Sequence, residues 1–270
     1  MIKKLLILLL LSLSSVSWGQ QTGIKPILGR QLDWSNPLTK GLVGCWLLNE
    51  GRGNIVQDMS GNGNTGTFQG ATYWSGGSVV MEAPSANITS ATPALTGTGT
   101  IAFRFNGTGT PRSYGRFFAV DSYAEFNLFR NSVDTSLQLQ INGTNCTAWT
   151  VPDLWGTGWN TIVITWDDAA DIEKCYVNGI LVGTSTTAFA WDAAGLSSTW
   201  HWGDINPSNY SASGRYDWIS AYNRVLSASE VQQLYIDPSQ MFKPSFDLYL
   251  MGGVVIPGVS GGQIIMIKEF

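Results

Sequence analysis

The chain has 270 residues, a net charge of −4 and only 13% charged residues, with lysine and arginine scattered along it. It lacks the basic stripe that marks a nucleic-acid binder, so no nucleic-acid partner is expected. Thirty-one glycines and twelve tryptophans stand out: the first supply tight turns, the second large apolar area for a core or a binding face.

Met1-Ile2-Lys3-Lys4 is a basic start, Leu5 to Leu13 carries no charge, and Ser14 to Gly19 offers small residues for cleavage after Gly19. Residues 1–19 read as a secretory signal peptide, which predicts a secreted or cell-surface protein. The apolar run is shorter than the roughly 18–20 residues that span a bilayer. Membrane contact is therefore expected only through an uncleaved N-terminus. No cysteine follows the apolar run, which argues against a bacterial lipoprotein. About 250 residues remain, enough for one large β-sandwich. Residues 20–38 show no periodicity and read as a linker.

Gly41 to Leu48 is a continuous apolar run, the mark of a strand covered on both faces. Asp58 to Asn64 is a glycine-asparagine loop. Strands are expected at 77–81, 99–105, 115–120 and 125–130. Ser136 to Ile141 alternates, with Leu137, Leu139 and Ile141 on one face, and Asn142-Gly143 turns it. Asn160 to Trp166 is rich in β-branched residues. Glu173–Val177 and Ile180–Gly183 form a hairpin through Asn178-Gly179. Two more strands follow at 200–204 and 215–222. Ser227 to Tyr235 is the one helix, with Ser227 as N-cap and Glu230 completing a capping box. The pattern predicts an antiparallel two-sheet sandwich closed by one short helix.

Gly41-Leu42-Val43-Gly44-x-Trp46-x-Leu48-x-Glu50-Gly51-x-Gly53 and Asp58-x-Ser60-Gly61-Asn62-Gly63-Asn64-x-Gly66 are similar to the opening of concanavalin A-like, laminin G-like (pentraxin-like) jelly-roll domains. Trp159 to Trp166 with Tyr176-Val177-Asn178-Gly179 resembles their central strand and hairpin. Tyr216-Asp217 through Tyr222-Asn223-Arg224-x-Leu226-Ser227-x-x-Glu230 resembles their closing strand and helix. These blocks cover roughly 39–237 in the expected order; 82–135 matches loosely. The resemblance implies an all-β jelly roll over 39–237, followed by an apolar glycine-rich tail at 238–270. It also implies glycan or cell-surface protein partners and often a structural Ca²⁺. Cys45, where an aromatic is usual, and Trp218, where an acid is common, depart from the pattern.

Asp217 is the most informative candidate. By strand parity it shares a face with Ile219 and Ala221, and a carboxylate on an inward face must be neutralised, paired or hydrogen-bonded. Two solutions are open. Ca²⁺ takes six to eight oxygen ligands, and Glu50, Asp58 and Asn62 could join Asp217 around it. Alternatively, Asp217 accepts N–H groups from the loop at 58–64 without a metal. For ligand binding, Trp200, Trp202, Asp204, Asn206 and Tyr210 are the candidates, because sugar rings stack on aromatics while amides and carboxylates fix hydroxyls. Trp149, Trp155, Trp191 and Tyr216 also lie in or near loops; core packing is the alternative for each.

No catalytic residue is expected. Asp171-x-Glu173 is the only acidic alternation along a strand, and its place at a hairpin entry predicts solvated side chains rather than the facing carboxylates of a glycoside hydrolase. His201 has no nucleophile motif nearby. Cys45, Cys146 and Cys175 show no metal or redox spacing; either Cys146 and Cys175 pair, or all three are small core residues. The segment 246–270 could add a strand to a neighbouring copy or fold onto its own domain. The leading expectation is an exported, non-enzymatic, glycan-binding module. The alternatives are a structural or adhesion protein of a cell surface or virion, and, less favoured, a carbohydrate-active hydrolase.

Overall fold

The computed structural model describes residues 25–26, 29–82, 86–109, 113–120, 125–131, 135–192, 196, 198–203 and 212–243. In chain order the strands are β1 (Leu42–Trp46), β2 (Ile55–Val56), β3 (Gly66–Gln69), β4 (Thr72–Ser75), β5 (Ser78–Met81) and β6 (Asn87–Ala91). Then come β7 (Thr98–Gly107), β8 (Arg116–Val120), β9 (Phe126–Arg130), β10 (Ser136–Ile141), β11 (Thr144–Asn145) and β12 (Trp149–Thr150). The last are β13 (Asn160–Asp167), β14 (Ile172–Val177), β15 (Ile180–Ser185), β16 (Thr199–Gly203) and β17 (Gly214–Tyr222), before the helix α1 (Ala228–Ile236).

Among the described residues these strands form two antiparallel sheets, consistent with a jelly-roll sandwich. The eight-stranded sheet runs β15-β14-β13-β7-β17-β5-β4, with β1 also paired to β17. The nine-stranded sheet runs β11-β10-β9-β8-β16-β6-β3-β2, with β12 also on β10. Local chemistry sets the hairpins. Asn142 and Gly143 both take positive φ between β10 and β11, as do Asn178 and Gly179 between β14 and β15. Such turns match the twist of the strands they join. The β1–β17 pairing, Leu42 opposite Tyr222 and Trp46 opposite Ile219, brings the first and last family-like blocks together.

The main core lies between the sheets, where Trp46, Phe103, Phe105, Phe118, Trp166, Trp200 and Trp202 are buried together. Gly99 is required there, because a Cβ would run into the Trp166 ring. A second apolar layer covers part of the other face of the eight-stranded sheet. Leu42, Cys45, Ala102, Val163, Trp218 and Tyr222 pack under Val231 and Leu234 of α1. Ser227 and Glu230 make both halves of the capping box at the helix start.

Residues on both sides of the expected 39–237 domain join this layer. Leu32 and Leu38 belong to the second layer, with Met241 and Phe242. Leu32 bridges to Phe242, and Lys243 N donates to the Gln31 carbonyl at 2.9 Å. The segments flanking the sandwich are thus part of its outer layer, because together they cover apolar surface that α1 alone leaves open. Residues 246–270 and 1–19 lie outside the described residues.

Candidate functional site

The glycine-asparagine loop after β1 is organised by Asp58 itself. Its Oδ1 accepts from Cys45 N at 3.0 Å and Ser60 N at 2.9 Å, and its Oδ2 accepts from Ser60 Oγ and Asn64 N, both at 2.9 Å. Asn62 Nδ2 donates to Ser60 Oγ at 3.0 Å and to the Val43 carbonyl at 3.3 Å. Trp46 Nε1 donates to the Asn64 carbonyl at 2.8 Å, tying the loop to the core. Glu50 Oε1 accepts from Gln57 N at 2.8 Å.

Asp217 points to the opposite face from the one strand parity predicts. On β17, Tyr216 faces Phe105 and Ile219 faces Phe103, so three residues on one strand match two on its partner. This bulge puts an extra residue between two inward side chains. Tyr216, Ile219 and Ala221 point into the main core, and Trp218 belongs to the second layer. Asp217 instead meets Arg104 on the outer face, Oδ2 to Nη1 at 2.9 Å, and Lys25 Nζ reaches Oδ1 at 2.7 Å. Lys25 also donates to the Leu48 and Gly77 carbonyls, at 3.0 and 2.6 Å. Burial lowers the Lys25 pKa, and the Asp217 charge opposes that shift.

A shared calcium site does not fit these residues. Asp217 already has one cation on each oxygen, and a divalent ion beside them would be repelled. All four hydrogen bonds to Asp58 come from donors, so its lone pairs are committed. The Asn62 amide nitrogen is turned to hydroxyl and carbonyl oxygens. Among the described residues, no three histidine, cysteine, aspartate or glutamate side chains gather in a metal-holding group. The Asp217 charge is satisfied by neither of the two expected solutions, but by cations 113 residues and more away in sequence.

The tryptophans expected to stack on a ligand are core residues. Trp200 and Trp202 are 0% and 1% exposed, alternate inward from β16, and pack on Phe118 with ring centroids 5.2 and 5.8 Å away. An indole beneath the sheet cannot reach a sugar. Trp149, Trp155 and Tyr216 are buried as well, and Trp191 stacks on Trp166. Asp204, Asn206 and Tyr210 lie outside the described residues. Among the described residues the exposed aromatics are others: Trp34, Tyr73 and Tyr114, with Trp159 half-buried.

What β16 presents outward is His201, at the middle of a row that crosses the nine-stranded sheet. In register, Thr67 of β3 faces Thr89 of β6, Thr89 faces His201, and His201 faces Ala119 of β8. Ala119 faces Asn127 of β9, which faces Gln140 of β10. Six strands at about 4.8 Å spacing make this row ~24 Å long. Its side chains orient one another. Thr89 Oγ1 donates to Asn87 Oδ1 at 3.0 Å, His201 Nδ1 lies 3.4 Å from that same oxygen, and Asn127 Nδ2 donates to Gln140 Oε1 at 2.8 Å. Ala119 and Asn127 are buried at its floor, while Thr67, Thr89, His201 and Gln140 are half-buried. Period-two alternation in the Trp-His-Trp triplet is the sequence signal that sets His201 opposite the tryptophans. The cross-strand partners are set by register and had no local signal.

Glu173 also departs from expectation. It is 0% exposed, on the inner side of β14, rather than solvated at a hairpin entry. The Ser185 hydroxyl and Cys146 thiol favour its charged form, yet neither bonds it in hydrogen-bonding geometry. Ser185 Oγ instead donates to Thr187 Oγ1 at 3.2 Å. Burial raises the Glu173 pKa, and these two neighbours only partly offset it. Asp171 stands in the left-handed turn before β14, so the acidic alternation does not present two carboxylates to one groove. Cys45, Cys146 and Cys175 are all free and buried, and burial raises each thiol's pKa.

Comparison with solved structures finds chains that share this fold over part of their length. The botulinum neurotoxin serotype D binding domain superposes with a TM-score of 0.57 at 12% identity, over 73% of this chain and 52% of that one. The Trypanosoma rangeli sialidase in complex with sialic acid superposes with a TM-score of 0.58 at 13% identity, over 74% of this chain and 33% of that one. The botulinum neurotoxin type G receptor binding domain gives 0.54 at 15% identity, over 73% and 51%. The chain thus spans about half the length of the neurotoxin domains and a third of the sialidase. At these identities the likeness is one of fold. Comparison with curated proteins finds no match. A laminin G family model, described as the concanavalin A-like lectin/glucanases superfamily, matches residues 80–232, and the chain belongs to that family.

Proposed function

We propose that the protein is an exported, non-enzymatic recognition module that binds a glycan along the outer face of its nine-stranded sheet. The observation that carries this reading is the register-matched row Thr67, Thr89, His201, Ala119, Asn127 and Gln140. Hydroxyl, amide and imidazole groups match the alternating donors and acceptors of sugar hydroxyls without paying to desolvate a charge. Mutual hydrogen bonds hold several of these groups in place before a ligand arrives, which lowers the entropic cost of binding. The row's length suits several linked sugars rather than one.

The row contains no carboxylate, whereas most glycoside hydrolases work with a pair of them. That supports recognition rather than cleavage. Among the solved structures of similar fold, one is a sialidase with bound sialic acid and others are receptor-binding domains, in keeping with a surface-recognition role. The N-terminal sequence supports export. The test is a glycan array followed by calorimetry on the best neutral hit. His201→Ala and Gln140→Ala should each weaken binding by about tenfold, the effect of losing about one hydrogen bond. Neutral glycans that bind equally well to both variants, or not at all to the parent protein, would refute the row as the site.

A further inference from the structure

We propose that the outer face of the other, eight-stranded sheet carries a separate subsite for a carboxylate-bearing sugar, formed by Arg215, Arg104 and Trp159. Arg215 of β17 stands opposite Asn106 of β7, and Arg104 is two residues along the same face. Both guanidinium groups lie against the half-buried Trp159 ring, at 5.1 Å for Arg104 and 5.8 Å for Arg215.

Each guanidinium is fixed from behind. Arg215 Nε and Nη2 donate to Ser78 Oγ at 3.1 and 2.9 Å, and Nη2 also donates to the Ser75 carbonyl at 2.7 Å. Gly76, with φ +54, keeps that turn clear, since a Cβ there would lie 2.9 Å from Arg215 Nη2. Arg104 is fixed through Asp217, which Lys25 braces from the other side.

The charges do not balance. Lys25 and Arg104 share one carboxylate, Asp217, with Glu50 also attracting Lys25, while Arg215 shares the Trp159 ring with Arg104. Arg215 has no carboxylate partner among the described residues; its bonded oxygens are a hydroxyl and a carbonyl. Two like charges held side by side repel one another, and the chain as a whole is acidic at −4. On Arg215 the Nε and Nη2 hydrogens are taken by Ser78 and Ser75, which leaves Nη1 to donate; on Arg104 only Nη1 is used, so its Nε–Nη2 edge is the fork that can recognise a carboxylate in bidentate fashion. An adjacent indole offers an apolar surface to the C–H face of a sugar ring. Asn106, between the two arginines in register, supplies an amide for a hydroxyl. The shared chemistry is a sugar acid, found either as a terminal sialic acid or within a uronic acid chain.

The experiment is calorimetric titration of the full chain with 3′-sialyllactose, with tetragalacturonate and with lactose. At least one acidic probe should bind and lactose should bind far more weakly; which acid binds identifies the source. R215Q should weaken the acidic probe by about ten- to a hundredfold, the loss expected for a charge-assisted hydrogen bond. R215K, which keeps the charge and loses the planar group that Ser75 and Ser78 hold in place with Nη1 free to donate, should weaken it as well, and it remains readable if R215Q fails to fold. K243Q removes an exposed charge elsewhere and should change nothing. The proposal is overturned if neither acid outbinds lactose, if R215K binds like the parent, or if K243Q weakens binding as much as R215Q. Binding of neutral glycans at the nine-stranded sheet is a separate property, and H201A should leave the acidic probe's affinity intact.

Discussion

A single carboxylate shows how far residue type and position can mislead. Asp217 sits in a strand whose alternate positions are apolar, so an ideal period of two sends it into the core. One inserted residue at 217–218 reverses that, and the side chain finds Arg104 and Lys25. Because its charge is already neutralised, chelated protein titrated with Ca²⁺ should show neither binding heat nor a melting shift attributable to Asp217. A Ca²⁺-dependent melting shift abolished by Asp217→Asn would reverse this conclusion. Glu173 is the opposite case: a polar residue beside an acidic turn that the fold buries completely. Its pKa in the native protein is raised by burial, so the native state keeps the proton where the unfolded chain has lost it. Stability therefore falls as pH rises from the ordinary glutamate value through the raised one, and the full penalty applies above it. Glu173→Gln should leave stability unchanged near pH 4 and raise it by about 1–3 kcal/mol near pH 8. Urea melts at the two pH values measure this, and equal effects at both would contradict it.

At the scale of elements, much was legible because the signals are local. The dipeptides Asn142-Gly143 and Asn178-Gly179 tolerate the positive φ their turns require. Ser227 and Glu230 are three residues apart, the spacing at which each side chain reaches the other's backbone N–H. Ser227→Ala should cost about 1 kcal/mol, read from the thermal midpoint. A null effect would mean that Arg224, bound to both Glu230 oxygens at 2.7 and 3.0 Å, holds the helix start alone. The bulge in β17 was not legible. Its sequence Tyr216-Asp217-Trp218-Ile219 sets two apolar residues side by side, which a regular strand covered on both faces also does, so the extra residue is visible only against β7. The spacing of Trp200 and Trp202 puts both on one face of β16, but nothing local says which face is inside.

At the scale of the whole molecule, the protein is a sandwich with a partial third layer. Residues flanking the family-like region close that layer, although their composition resembles a linker and a tail. Leu32, Leu38, Met241 and Phe242 are each under 4% exposed or at that value. Phe242→Ala should destabilise the protein by about 3 kcal/mol, and a change below about 1 kcal/mol would show the layer to be loosely docked. The sequence alone determined the all-β class, the hairpins, the capped helix and the family, since each depends on residues close together or on a pattern in fixed order. Only the tertiary structure decided which tryptophans are core, where Asp217 points, and which side chains line up across six strands. Those outcomes depend on cross-strand register and on which face of each sheet is covered, and contacts between residues far apart in the chain set both.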